Sequence, residues 1–136
     1  MIVVDVTVLA AYVMRGEDTD SVVALRKRHP DWAAPQLWKS EFMNVVWKYA
    51  RRGDIATHQA VELMDTAMML MCSATFDVPP EDVLTLSCQF GCSAYDGQYV
   101  VLAKRLDVSL ATHDQQLLRM FPDIAFLPAD VPDQGP

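Results

Sequence analysis

Four acidic residues stand at positions where a buried carboxylate needs a partner. Asp5 lies in or just after the apolar run 2–6, and Asp114 follows the apolar run 108–111, so both mark the end of an expected buried strand. Asp96 lies in the first turn of a predicted helix, and Glu41 borders the apolar stripe of another. An unpaired carboxylate in such a place costs free energy unless a cation, a metal or hydrogen bonds neutralise it.

If the four acids converge on one crevice, their mutual repulsion favours a hard divalent cation as the occupant. Mg²⁺ or Mn²⁺ held by carboxylates and waters activates water for in-line attack on a phosphodiester, with either one ion or two. The hydroxyls of Thr7 and Thr112, two residues from Asp5 and Asp114, would orient those acids. The pattern therefore predicts a nuclease in which all four acids serve both catalysis and metal binding.

Each acid also has a purely structural explanation. Asp5 can cap a turn, Asp114 can be an ordinary helix N-cap, and Asp96 can compensate a helix dipole. Glu41 can lie on a solvated helix flank together with Asn44 and Lys48. The residue pattern alone leaves both explanations open for every one of the four acids.

The elements that must position these acids alternate along the chain. Short apolar runs typical of strands are separated by longer segments of helical periodicity. Strands are predicted at 2–6, 32–34, 75–78, 108–111 and 124–127. One short helix is predicted to end at Arg28, and further helices span 35–53, 57–71, 80–90, 96–106 and 114–120. Because this order requires crossover connections, we expect a three-layer α/β/α sandwich with a mainly parallel sheet, which binds ligands at the carboxyl ends of its strands.

The length of 136 residues fits one domain, predicted at 1–130, followed by a frayed polar tail at 131–136. The first residues lack the basic region of a signal peptide. No apolar run approaches the roughly 20 residues needed to cross a bilayer. We therefore expect a cytoplasmic protein without a membrane segment.

The formal net charge of −7 argues against a protein that simply coats DNA or RNA. The charge is uneven, because residues 1–52 carry eight basic and six acidic side chains, whereas residues 53–136 carry three and twelve. A polyanion is therefore expected to approach the first third of the chain. Candidate contacts to RNA phosphates are Arg26, Arg28, Lys48, Arg51 and Arg52, although such residues more often just end a solvated helix.

The four acids and their neighbours resemble the motifs of PIN-domain ribonucleases, and more narrowly those of the VapC-type toxins of bacterial toxin–antitoxin pairs. In chain order, the matching residues are Asp5 with Thr7, Glu41 with Asn44 in a Glu-x-x-Asn pattern, Asp96 in the segment 93–99, and Asp114 with Thr112 in the segment 110–114. The resemblance covers nearly the whole chain, and four such motifs in order are fairly specific.

This resemblance implies an α/β/α fold and an endoribonuclease that depends on Mg²⁺ or Mn²⁺. It also implies a homodimer, and a hetero-oligomer with a cognate antitoxin that inhibits the enzyme. By the same resemblance, Asp5 and Asp96 hold metal most directly, and Glu41 and Asp114 complete the pocket. The supporting groups that it implies are Thr7, Asn44 and Thr112.

Two residues depart from the family pattern. Gly97 follows Asp96 where Ala is more usual, which weakens the start of that helix. His113 precedes Asp114, and we interpret it as a solvent-facing residue beside a cap, with assistance to proton transfer as the alternative.

A methionine-rich helix at 58–71 is a candidate partner surface. Its apolar positions cover about 200° of the helical wheel, which is wider than the usual stripe. A deeply buried helix would explain this pattern, but we favour an adaptable surface for a second chain or an antitoxin helix. Met43 and Trp47 lie opposite the core stripe of the Glu41 helix, and a partner is expected to cover them as well.

Three other functions fit less well. A phosphatase of the haloacid-dehalogenase type needs a second aspartate where this chain has Thr7. A catalytically silent RNA- or protein-binding module on the same fold would tolerate loss of one acid, and none is lost. A non-toxin RNA-processing nuclease usually carries additional domains, for which this chain has no room.

Overall fold

The computed structural model describes residues 1–133 and contains a five-stranded parallel sheet flanked by helices. The strands are β1 (Ile2–Val4), β2 (Trp32–Pro35), β3 (Thr75–Phe76), β4 (Leu110–Ala111) and β5 (Ala125–Phe126). The helices are α1 (Val6–Met14), α2 (Thr19–Arg28), α3 (Leu37–Arg51), α4 (Thr57–Met71), α5 (Pro80–Phe90), α6 (Ala94–Leu106) and α7 (Gln115–Met120), and a 3₁₀ turn spans Pro128–Asp130. This architecture confirms the predicted α/β class.

The strand order β3-β2-β1-β4-β5 places β1 at the centre of the sheet. Val3 pairs with Ala33 of β2 on one side and with Leu110 of β4 on the other. From β1 the chain first adds β2 and β3 on one side of the sheet, and it later adds β4 and β5 on the other side. The direction in which strands are added therefore reverses between β1 and β4. Such a switch point opens a crevice at the carboxyl ends of the strands.

The central strands are continuous apolar runs because parallel sheets bury both faces. Every residue of β1 and β2 is buried, and α6 packs against both strands. Helix α3 packs against α1, α4 and β2, with Trp38, Phe42 and Val46 on its buried side. These contacts fix the ends of α3 and α6 relative to the carboxyl edge of the sheet.

The differences from the predicted elements that bear most on the fold concern α1, α3 and α4. Helix α1 occupies residues for which no element was predicted, because its sequence is apolar on every side and shows no helical stripe. Pro35 ends β2 instead of opening α3, since Ala34 and Gln36 donate the hydrogen bonds to the β3 segment and the missing N–H of Pro35 is not needed there. Thr57 is the first residue inside α4 and not its cap.

Part of the predicted frayed tail is held against the domain. Val131 is only 3% exposed, and its carbonyl oxygen accepts a hydrogen bond from Arg28 Nη1 at 3.0 Å. Arg28 Nη1 also lies 3.1 Å from Asp133 Oδ1. Residues 134–136 of that prediction lie outside the described residues. Within residues 1–133, none of the helices has both the length and the apolar character to span a bilayer.

Candidate active site

Asp5 ends the central strand and caps α1. Its Oδ1 accepts hydrogen bonds from the backbone N–H of Thr7 at 3.0 Å, from the backbone N–H of Val8 at 3.3 Å and from the Thr7 hydroxyl at 2.5 Å. Its Oδ2 accepts a hydrogen bond from the hydroxyl of Thr112. Asp5 is 5% exposed, and burial raises the pKa of its carboxyl although these hydrogen bonds oppose the rise.

Asp114 repeats this arrangement beyond the neighbouring strand β4. Its Oδ1 caps α7 by accepting the N–H groups of Gln116 at 2.9 Å and Leu117 at 3.3 Å. Its own N–H donates to Thr112 Oγ1 at 2.9 Å. Since the Thr112 hydroxyl donates to Asp5, this buried threonine links the two acids across the switch point of the sheet.

Glu41 approaches the same edge from the second turn of α3. The hydroxyl of Tyr99, on α6, donates a hydrogen bond to Glu41 Oε1 at 2.6 Å. Sequence reasoning did not single out Tyr99. The sequence did offer a signal, since Tyr99 follows Asp96 by three residues in an apolar helix. A tyrosine buried there needs a hydrogen-bond partner for its hydroxyl, and a nearby acid could supply one.

Asp96 enters from the first turn of α6. Ser93 caps that helix by accepting the Asp96 N–H at 3.0 Å. Gly97 next to it is buried against α5, where an added Cβ would overlap the Ser87 hydroxyl and lie 3.3 Å from Val83 Cγ1. The departure from Ala at this position therefore allows α6 to pack closely on α5.

Charge effects link the four acids to one another. Burial is the main cause that raises the pKa of Glu41, and the charges of Asp5 and Asp96 raise it further. Burial, followed by the charge of Asp114, raises the pKa of Asp96. No Lys or Arg contributes to these shifts or to that of Asp5. The structure therefore places the four predicted acids in one electrostatic group without a basic side chain that neutralises it.

The donor set of this crevice fits a hard divalent cation. Among residues 1–133, no three His, Cys, Asp or Glu side chains stand close enough to ligate one ion directly. Mg²⁺, however, usually keeps several waters and binds through one or two carboxylates, so direct convergence of three is not required. The uncompensated acids and the hydroxyl donors around them suit such a partly hydrated ion.

Two of the predicted RNA contacts lie away from the acids. Arg28 Nη2 donates to the carbonyl oxygen of Pro128 at 3.1 Å, in addition to the contacts of Nη1 with the C-terminal segment. The guanidinium of Arg26 lies 5.1 Å from the ring centre of Trp32, the first residue of β2. Both arginines are therefore near the amino edge of the sheet, whereas the acids follow its carboxyl edge.

The other predicted RNA contacts lie at the far end of α3. Lys48 follows Glu41 by seven residues, which is about 10 Å along a helix. Arg51 lies 5.6 Å from the ring centre of Trp47, and Arg52 lies 4.7 Å from that of Tyr49. Asn44 is exposed one turn after Glu41. These residues therefore lie along α3 after Glu41, with the three basic ones about two turns or more from it.

His113 is partly exposed beside the Asp114 cap, and it also contacts Asp18. Its side chain is 26% exposed, and its Nε2 lies 2.5 Å from Asp18 Oδ2 at the start of α2. Its backbone N–H donates to Thr7 Oγ1 at 3.0 Å. His113 therefore connects the segment before Asp114 with two other elements.

The fold has close counterparts among solved structures. A protein from Pyrobaculum aerophilum, PAE2754, is 25% identical, with a TM-score of 0.69 over 88% of this chain and 84% of that chain. A toxin–antitoxin complex from Klebsiella pneumoniae is 17% identical, with a TM-score of 0.69 over 94% and 98% of the two chains. FitAcB from Neisseria gonorrhoeae is 17% identical, with a TM-score of 0.69 over 96% and 100%. These structural similarities show that the chain has a PIN-type fold.

Sequence comparison narrows this class. No protein-family model matches the chain. The chain is 30% identical to Ribonuclease VapC3 of Pyrobaculum aerophilum over 125 residues, which cover 89% of this chain and 95% of that protein. The chain belongs to the VapC family of PIN-domain ribonucleases.

Proposed function

We propose that this chain is an endoribonuclease that depends on Mg²⁺ or Mn²⁺ and acts as the toxin of a VapBC-type pair. The observation that carries the proposal is the group of four carboxylates: besides burial, the charges of Asp5 and Asp96 raise the pKa of Glu41, the charge of Asp114 raises that of Asp96, and no Lys or Arg opposes these effects. A divalent cation would relieve the repulsion among the carboxylates. A binding module that never holds a metal would gain nothing from such a group of acids. Family membership supports RNA as the substrate.

Asp5 and Asp96 would hold the metal most directly, and Glu41 and Asp114 would complete the pocket. The bound cation would supply charge stabilisation at the phosphodiester and lower the pKa of water. Thr7 and Thr112 position Asp5 by donating to its two oxygens, so both oxygens keep a fixed direction. Asn44 would support the site from the exposed side of α3.

Glu41 is the acid best suited to accept a proton from an attacking water. Burial and neighbouring charges raise the pKa of its carboxyl, and a base with a raised pKa works closer to neutral pH. The Tyr99 hydroxyl fixes the orientation of Glu41. Burial keeps the pKa of Tyr99 far above its usual range, so this hydroxyl stays protonated and serves only as a donor.

An antitoxin helix and a second copy of the chain are the proposed protein partners. An apolar groove of about 370 Å³ runs between α3 and α4. Its exposed side chains include Met43, Trp47 and Val61, which are each about half exposed. On the methionine-rich helix Ala67 and Met71 are buried and Leu63, Met64 and Leu70 pack partly against the core. Its large apolar side chains that remain exposed are Val61, Met68 and Met69. This surface supports a homodimer and a hetero-oligomer with an antitoxin.

The central test is RNA cleavage by the purified protein with Mg²⁺ or Mn²⁺ and with EDTA. We expect cleavage only with metal, and a loss of at least a hundredfold, roughly, in Asp96→Asn, because removal of a carboxylate ligand weakens both metal binding and charge stabilisation. Glu62→Gln, an exposed acid on α4, is the matched control and should retain activity. Full activity of Asp5→Asn or Asp96→Asn with an unchanged fold would show that the proposed site is wrong.

A second experiment separates a toxin from a processing enzyme. Expression of the chain in bacteria should arrest growth, and co-expression of a small protein encoded beside it should relieve the arrest. Cleavage without growth arrest would indicate a non-toxin RNA-processing nuclease. Absence of cleavage under every metal condition would indicate a catalytically silent binding module.

A further inference from the structure

One exposed aromatic side chain in the described part of the chain has no covering partner. The large exposed aromatics are Trp47, Tyr49, Phe90 and Tyr95. Arg51, Arg52 and Lys104 lie over the rings of the first three, and Phe90 also packs on Phe121. Tyr95 makes no such contact, and it is the most exposed of the four, at 65%.

Tyr95 stands at the rim of the acidic crevice. It precedes Asp96 in the first turn of α6, and it lies one helical turn before Tyr99, on the same face. The Tyr99 hydroxyl reaches Glu41, so this face of α6 is the one turned toward the acids. Because helical side chains lean toward the helix N-terminus, we expect the exposed ring of Tyr95 to project beyond the start of α6, beside Asp96.

The charges around the crevice favour an uncharged contact between Tyr95 and the RNA. The acids repel a phosphate backbone when no metal is bound, and no basic side chain contributes to their electrostatics. The arginines near the amino edge of the sheet are engaged with the C-terminal segment and with Trp32. Base stacking on an aromatic ring does not depend on charge, so it adds affinity beside the acids, where no Lys or Arg contributes.

We propose that Tyr95 is a stacking platform for an unpaired nucleobase next to the phosphodiester held at the crevice. The inference rests on the proposed function, and it adds a residue outside the four acids that contacts the RNA. A base in a duplex is already stacked on both faces and cannot lie on Tyr95. The ring, not the hydroxyl, makes the contact.

The test is binding of oligouridylates that carry one 2-aminopurine, moved along the strand from one oligomer to the next. Ca²⁺ replaces Mg²⁺ so that binding is measured separately from cleavage. Wild type and Tyr95→Phe should quench the fluorescence at one preferred position. Tyr95→Ala should lose this quenching and raise Kd about 5- to 150-fold, which is what removal of one base–aromatic stack costs. Leu84→Ala, which alters a side chain that is 57% exposed on α5, is the control and should bind like wild type.

Two results would overturn the proposal. One is a Kd for Tyr95→Ala that stays within about twofold of wild type with the quenching retained. The other is unchanged RNA binding together with a weakened dimer or antitoxin complex in size-exclusion chromatography, which would make Tyr95 a protein contact. Failure of the proposed function is distinguishable, because it appears as absent cleavage by wild type with Mg²⁺ or Mn²⁺, whatever the result with Tyr95.

Discussion

Asp5 and Asp114 use their carboxylates in the same way. In each, one oxygen caps the helix that follows the strand, and the Thr112 hydroxyl contacts the Asp5 side chain and the Asp114 backbone. A cap fixes the side-chain torsions, so each carboxylate reaches the crevice in one orientation. The structural and the functional explanation of these acids are therefore compatible, because the cap supplies the rigidity that a site requires.

The bond from Tyr99 to Glu41 can be tested by Tyr99→Phe. Tyr99 is 2% exposed, so the substitution removes the hydroxyl without leaving a large cavity. Loss of a donor to a half-buried carboxylate should lower the free energy of unfolding by about 1 kcal/mol. It should also raise the pKa of Glu41 further and shift the acid limb of the pH–rate profile upward. Tyr12→Phe is the control, and an unshifted limb would contradict a role for Glu41 as the base.

Asp96→Asn should stabilise the metal-free fold near neutral pH. Burial and Asp114 raise the pKa of Asp96 above its ordinary 3.8, so the folded state holds this proton more tightly than the unfolded state does. The free energy of unfolding of the wild type therefore falls as the pH rises from 3.8 through the raised pKa of Asp96. Asp96→Asn has no carboxyl to titrate there, so its stability does not fall for this reason. Thermal unfolding should show a higher Tm for the variant at about pH 7, and no difference at about pH 3.

Addition of Mg²⁺ should reverse this order. A ligand that binds only the folded state raises its stability, so wild type should gain Tm with Mg²⁺ while Asp96→Asn gains little. An equal Mg²⁺ response in both proteins would remove Asp96 from the proposed metal ligands. Stability lost in the apo state and regained on binding is the expected behaviour of a site built for a ligand.

At the scale of elements, the contact between α5 and α6 sets the position of Asp96. The Ser87 hydroxyl donates to the carbonyl oxygen of Ser93 at 3.1 Å, at the point where α6 begins. Gly97 leaves space for that hydroxyl, which a methyl group would displace. The weak helix propensity of glycine is therefore the cost of bringing the start of α6 close to α5.

A double-mutant cycle tests this contact. Gly97→Ala should destabilise the chain by about 1–2 kcal/mol because the new methyl group crowds Ser87 and Val83. In a Ser87→Ala background the same change should be nearly neutral or stabilising, since the clash is relieved and Ala favours the helix. Additive effects in urea unfolding would show that the Ser87 hydroxyl is not what requires the glycine.

At the scale of the whole molecule, the acids and the basic residues are separated. The acids gather at the carboxyl edge of the sheet, whereas Arg26 and Arg28 stand near its amino edge. The basic first third of the chain is therefore not one surface, because the fold sends α2 and α3 to different places. We expect the end of α3, with Lys48 and Arg52, to make the phosphate contacts, since it is the basic segment continuous with Glu41.

Arg28 should prove to be a structural residue. It binds the carbonyl oxygens of Pro128 and Val131 and pairs with Asp133, so it ties the C-terminal segment to α2. Arg28→Ala should lower the free energy of unfolding by about 1 kcal/mol, a modest value because the ion pair is exposed. RNA affinity should stay within about twofold of wild type, as in the control Lys27→Ala. A large loss of RNA affinity at unchanged stability would restore Arg28 as an RNA contact.

The sequence by itself determined the alternation of strands and helices, and with it the parallel sheet, three acids at element ends and Glu41 at the border of a helix's apolar stripe. These features are encoded among near neighbours, through apolar periodicity and caps such as Asp5 and Ser93. Only the tertiary structure decided that Tyr99 holds Glu41 across 58 residues and that Thr112 reaches Asp5 across 107. It also decided that Arg28 faces the C-terminal segment. Such contacts follow from how buried faces pack, and no local pattern specifies which distant side chain completes a hydrogen bond.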